Sequence, residues 1–164
     1  MIRTTGLFAL AALLAAGPVN AAEIKGEATF AWLAVGTTYT LGDGHPYFAG
    51  AFSGINLFKD GGGGALANSS IQCPGYNDIG VDAAGYCIVT AGGGDKLFLK
   101  WSCKAAAPAE GDLAACDGST TVIGGTGKFE HATGGNSISA HVRGVNADGT
   151  TMGYSTLSNY IVTY

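Results

Sequence analysis

The stretch Gly124-Gly125-Thr126-Gly127-Lys128-Phe129-Glu130-His131-Ala132-Thr133-Gly134-Gly135 packs five glycines into twelve residues between two strand-like runs. Glycine adopts positive φ without steric cost, so such a cluster reverses the chain tightly, and Phe129 between the turns can plug the end of a core. Thr120 to Ile123 enters the cluster and Asn136 to Val145 leaves it. Asn146-Ala147-Asp148-Gly149 is then an Asp-Gly hairpin turn, with Met152 to Thr163 as the closing strand.

Upstream, Gly26 to Val35 is a first strand with Ala28, Phe30 and Trp32 on one face. Thr37 to Leu41 either continues it past a kink at Gly36 or forms a short second strand. Gly42 to Pro46 is a loop. Tyr47 to Phe58 is apolar on both faces, with Phe48, Phe52 and Phe58 on one, while Gly50 and Gly54 signal bending or close approach of another backbone. Ala65 to Cys73 is expected as a short strand and Pro74 to Gly85 as a loop. Tyr86 to Thr90 and Lys96 to Cys103 flank Gly92-Gly93-Gly94-Asp95 as a hairpin, which turns Leu97, Leu99, Trp101 and Cys103 inward. Residues 104–117 are alanine-rich and are read as loop rather than helix. Seven to nine antiparallel strands follow, a sheet that removes its edges by closing into a small barrel.

The first residues carry Arg3, an apolar run from Leu7 to Ala16 and a small-residue site at Val19-Asn20-Ala21, the pattern of a secretory signal peptide cut after Ala21. The run falls short of the roughly 20 residues of a membrane-spanning helix. Residues 22–164 then form one domain, secreted or periplasmic and not membrane-embedded. The whole chain holds 8 basic and 12 acidic residues, and removal of Arg3 shifts its net charge from −4 to −5. Without a basic stripe to neutralise phosphates, nucleic acid is a poor partner.

Four cysteines in an exported chain point to two disulfides, with three possible connectivities. Cys73 and Cys87 stand at the two ends of one expected loop, and Cys103 and Cys116 at the two ends of the alanine-rich one, so the preferred pairs are Cys73–Cys87 and Cys103–Cys116. Zinc is the rival, but no two cysteines have its usual close spacing.

The run Val122-Ile123-Gly124-Gly125-Thr126-Gly127-Lys128-Phe129, followed by Ala132-Thr133-Gly134 and a long strand, resembles the glycine-rich turn of the allene oxide cyclase-like and dirigent-like β-barrels. His45-Pro46-Tyr47-Phe48, Phe52-Ser53-Gly54, Cys73-Pro74-Gly75-Tyr76-Asn77-Asp78 and Gly85-Tyr86-Cys87 are similar to small secreted bacterial members of that group. The resemblance implies an all-β, closed antiparallel barrel of about eight strands with an apolar interior, and a homo-oligomer. The plant proteins depend on polar residues inside their cavities, and no position of this chain is matched to those.

Candidate chemistry is sparse. Ser137, Ser139, His141 and Arg143 share one face of a strand; facing inward, His141 could move a proton and Arg143 bind an oxyanion. The plainer reading turns Ile138, Ala140 and Val142 inward and the polar set to water. His45 beside Asp43 could be oriented at a barrel mouth, or be an ordinary loop histidine. His131 is expected to be exposed. The three histidines show no metal-binding spacing, Ser53 has no nucleophile-elbow frame, and no phosphate loop is present, so no metal or cofactor is expected. Phe30, Trp32, Phe48, Phe52, Leu97, Leu99 and Trp101 either fill the barrel or line a pocket for one hydrophobic small molecule. The leading expectation is a binding barrel or interaction module without catalysis. The alternative is a cyclase or isomerase that folds an apolar substrate, with His141/Arg143 or Asp43/His45 as polar groups. A third is association through the two-sided strand Tyr47 to Phe58.

Overall fold

The computed structural model describes residues 21–164, so the expected signal peptide lies almost wholly outside the described residues. Eight strands follow in chain order: β1 (Glu23–Thr40), β2 (Pro46–Phe58), β3 (Ser70–Asp78), β4 (Asp82–Thr90), β5 (Lys96–Ala106), β6 (Ala114–Gly125), β7 (Thr133–Val145) and β8 (Thr151–Thr163). Each pairs antiparallel with the next, and β8 closes on β1. The result is the expected closed barrel.

Its two ends differ. One carries the turns at 41–45, 79–81 and 146–150 and the loop 107–113. At the other, the glycine-rich β6–β7 turn and the β2–β3 connection fold over the interior. There Phe129 is fully buried against Tyr164, with ring centroids 4.9 Å apart, and Leu66 is fully buried in the same core. Phe129 is thus the plug expected of it. Gly127 holds φ +57 in this turn, and a Cβ there would meet the Asp95 carboxylate at 2.1 Å, so the tight reversal requires glycine.

Strand β1 runs unbroken through Gly36. No kink is needed because Gly36 faces Gly50 on β2, and the Phe48 ring lies over both. Two corrections concern segments expected as loops. Strand β3 lies further along the chain than Ala65–Cys73 and continues through Pro74 to Asp78. Pro74 is tolerated because the ladder with β4 is interrupted between Gln72 and Gly75, where a proline lacks the donor. Likewise β5 and β6 extend far into the alanine-rich segment and leave only 107–113 outside strands, since paired partners on both sides outweigh weak local propensity.

Both preferred disulfides are present. They cross adjacent strands rather than loop necks: Cys73 bridges β3 to Cys87 on β4 with Cα atoms 4.0 Å apart, and Cys103 bridges β5 to Cys116 on β6 at 5.6 Å. Such bonds restrict the unfolded chain, and Cys103→Ser with Cys116→Ser is expected to lower the unfolding free energy by about 2–4 kcal/mol in a urea titration. An unchanged midpoint would contradict this.

Candidate functional site

Side-chain alternation decides which residues see the interior. On β1, Phe30 and Trp32 point in; on β2, Phe48, Phe52 and Asn56; on β5, Leu97, Leu99 and Trp101. Phe52 stands edge-on between the tryptophans, 5.3 Å from Trp32 and 5.7 Å from Trp101. Glycines make room for these rings. A Cβ at Gly153 would lie 2.5 Å from the Trp32 ring, and one at Gly75 would lie 2.7 Å from Trp101. The aromatic set therefore lies against the sheet as a wall instead of filling the barrel.

A cavity of about 330 Å³ remains, open at the end bearing Ile79, Pro108 and Leu113. Phe30, Trp32, Phe52, Leu99 and Trp101 line it as expected, whereas Phe48 and Leu97 belong to the packed core beside it. Its walls are mainly apolar, the ordinary character of a small-molecule site. On β7 the lining residues are Asn136, Ile138, Ala140 and Val142, so the plainer reading of that strand holds. Ser137, Ser139, His141 and Arg143 lie on the outer face.

The cavity also has polar residues that sequence reading missed. Asn56, Thr120, Asn136, Ser155 and Tyr160 all line it. Three are satisfied within the protein. The Thr120 hydroxyl donates to Asn136 Oδ1 at 2.5 Å, Asn136 Nδ2 donates to the Ser137 carbonyl, and Trp32 Nε1 donates to the Ser155 hydroxyl at 3.2 Å. Asn56 and Tyr160 are not. Asn56 is 0 % exposed and Tyr160 2 % exposed; their polar atoms make no hydrogen bond of normal geometry and present almost no surface to the cavity, while the Asn56 side chain lies close enough to the Tyr160 hydroxyl to oppose part of the effect of burial, and Trp101 Nε1 higher on the wall is likewise unpaired. Each such group costs about 1–3 kcal/mol. Burial pushes the Tyr160 phenol well above its ordinary value, so it stays a neutral donor. A signal was available, because Asn56 shares the residue parity of Phe48, Phe52 and Phe58 in an otherwise apolar run.

Outside the barrel, Asp112 in loop 107–113 joins two β7 side chains. Its carboxylate has no exposed surface and accepts from Arg143 at 2.8 Å and pairs with His141 Nδ1 at 2.7 Å. Ser139 lies 3.3 Å from His141 Nε2, and Tyr154 stacks on the imidazole. The order serine, histidine, aspartate matches a nucleophilic triad, but Ser139 is paired with both β6 and β8, whose ladders occupy the strand's backbone groups. The cluster serves instead to fasten the loop carrying Leu113 to the barrel wall. Arg143 first, then His141, holds the Asp112 carboxyl below the usual range. That contribution is present above the unfolded carboxylate pKa and is lost as pH falls through the lowered folded value. Asp112→Asn is expected to raise amide exchange about tenfold in 107–113 at neutral pH, with the strands unchanged; equal protection would contradict the tether.

At the rim, His45 bridges Asp43, at 2.5 Å from Nδ1, and Asp78 at the end of β3, at 2.8 Å from Nε2. The hydrogen bond to Asp43, then the attraction of both carboxylates, raises His45 above 6.5. A raised histidine stabilises fully below its unfolded value and loses that contribution as pH rises through the folded one. An NMR titration should therefore find His45 above 6.5 and Asp43→Asn should return it towards that value; a His45 midpoint unaffected by the substitution would contradict the bridge.

The exterior is uneven. Lys96, Lys100 and Lys104 alternate along β5, whereas Leu33, Ile55, Leu57 and Met152 form an exposed stripe across β8, β1 and β2. This stripe includes the outward face of the two-sided strand. The mainly apolar interior differs from the polar lumen of a transmembrane barrel, and among the described residues no helix is long and apolar enough to cross a membrane. The two disulfides fit an extracellular or periplasmic protein. Comparison with family models, curated proteins and solved structures gave no match.

Proposed function

We propose that this chain is an exported barrel that takes up a hydrophobic small molecule in its interior and works by binding, without catalysing a reaction. The observation that carries this reading is the open, aromatic-walled cavity of about 330 Å³ in a barrel whose opposite end is packed with the buried Phe129 and Leu66. A cavity with such walls favours apolar ligands, because burying their surface contributes about 25 cal/mol per Å². The polar groups deep in it are amide, hydroxyl and indole, which do not exchange protons near neutral pH. The histidines offered for an isomerase lie elsewhere, His141 on the outer face and His45 at the rim. Export rests on the leader pattern before Ala22 and on the disulfides; Edman sequencing of the protein from its host should begin at Ala22. Native mass spectrometry of the same material tests binding. A co-purifying apolar compound, one per chain, is expected, and a bare protein that also ignores added hydrocarbon would overturn the reading.

A further inference from the structure

We infer that the cavity is a stacking site, and that its ligand is a flat, uncharged ring system, aromatic or conjugated, seated on the indole faces of Trp32 and Trp101. This inference rests on the binding reading and adds the chemical class of the ligand. Glycines fix the orientation of both indoles. A Cβ at Gly85 on β4 would lie 3.0 Å from Trp101 Nε1, and one at Gly75 on β3 would lie 2.7 Å from Cζ2 of the same ring. One indole from β5 therefore covers two neighbouring strands, which it can do only by lying along the sheet. Trp32 lies over Gly153 on β8, with Cζ2 and Cη2 2.5 and 2.6 Å from where a Cβ would stand. With one face on the backbone, each ring turns its other face to the cavity that it lines.

The rest of the wall suits a plate better than a chain. Strands β1 and β5 lie opposite each other in the barrel, and Phe52 on β2 meets both indoles edge-on, at interplanar angles of 90° and 88°. Across from Phe52 the lining residues are short, Thr120 on β6 and Ala140 on β7, so the free space runs beside the aromatic wall. A ring there gains aromatic contacts as well as buried area, and it loses no chain torsions on binding, as an alkyl chain must. The same lining excludes charge. Among the described residues no lysine, arginine or histidine lines the cavity, the Thr120, Asn136 and Trp32 donors are already engaged, and Asp78 and Asp82 stand at the open end. A carboxylate would be buried there without a counter-ion. An ammonium group against the indoles would leave the carboxylates behind at the rim.

The test uses the purified protein at pH 7.5. Saturable fluorescence of diphenylhexatriene, a conjugated hydrocarbon dye, tests the binding reading itself, and its absence overturns both that reading and this one. Given binding, naphthalene, its saturated counterpart decalin and 1-naphthoate are compared as competitors of the dye. Burial of area alone ranks decalin first, since it is the larger and more water-averse of the two hydrocarbons. Stacking reverses that order. Naphthalene is expected to displace the dye about tenfold more tightly than decalin, the effect of about two aromatic contacts, and at least about tenfold more tightly than 1-naphthoate. Trp101→Leu should cut the preference for naphthalene over decalin at least about threefold. Nuclear Overhauser contacts from bound naphthalene to the indole protons of Trp32 and Trp101 locate the ring in the native protein, whatever the stability of that variant. Three results would each overturn the stacking site: decalin competing as well as naphthalene, an undiminished preference in folded Trp101→Leu protein, or bound naphthalene without contacts to either indole. Competition by 1-naphthoate equal to that of naphthalene would overturn the exclusion of charge.

Discussion

Phe129→Ala is expected to lower the unfolding free energy by about 3–5 kcal/mol, the usual loss for truncating a large buried aromatic. The ring is fully buried, contacts Tyr164, and sits in a turn whose glycines leave no alternative side chain to fill the gap. Against a total of about 5–15 kcal/mol for a domain, this single change would remove a large fraction of the stability. Urea denaturation followed by tryptophan fluorescence measures it. A loss below about 1 kcal/mol would mean that the barrel end is closed by something else.

The second large effect concerns the void. Ala140 lies on the cavity wall between Ile138 and Val142, and Ala140→Trp would place an indole where a ligand's apolar body should lie. Diphenylhexatriene binding is expected to weaken about a hundredfold, or about 2.7 kcal/mol. Stability should change little, because filling a cavity regains contacts that the empty wall lacks. A variant that still binds with native affinity would move the ligand away from this cavity. A variant that unfolds would instead show that the wall has no room, which equally contradicts an open interior.

Much of the architecture was legible in the residues because a period-two pattern bounded by glycine turns has few interpretations. The β4–β5 hairpin at Gly92–Asp95, the Asn146–Gly149 turn and the Phe129 plug were each readable from local chemistry alone. Pro74, Gly75, Asn77 and Asp78 were not, since every one of them favours turns in isolation and is drawn into β3 by its partners on β2. The disulfide pairs could be chosen from spacing, but their placement across strands required the true register. The site was half readable. Aromatic residues announced an apolar interior, yet nothing local to Trp32 reveals that Gly153, far along the chain, will hold its ring against the wall. Asn56 and Tyr160 passed unnoticed because their meeting in the barrel joins β2 to β8, far apart in sequence. Asp112 was equally silent, for its bonds to His141 and Arg143 join a loop to a strand distant in sequence.

Uptake of an apolar molecule by the barrel interior is tested by titrating the purified protein with diphenylhexatriene. Fluorescence that rises to saturation at one dye per chain, with energy transfer from Trp32 and Trp101, is the predicted result. Fluorescence indistinguishable from that of the dye in buffer would contradict it.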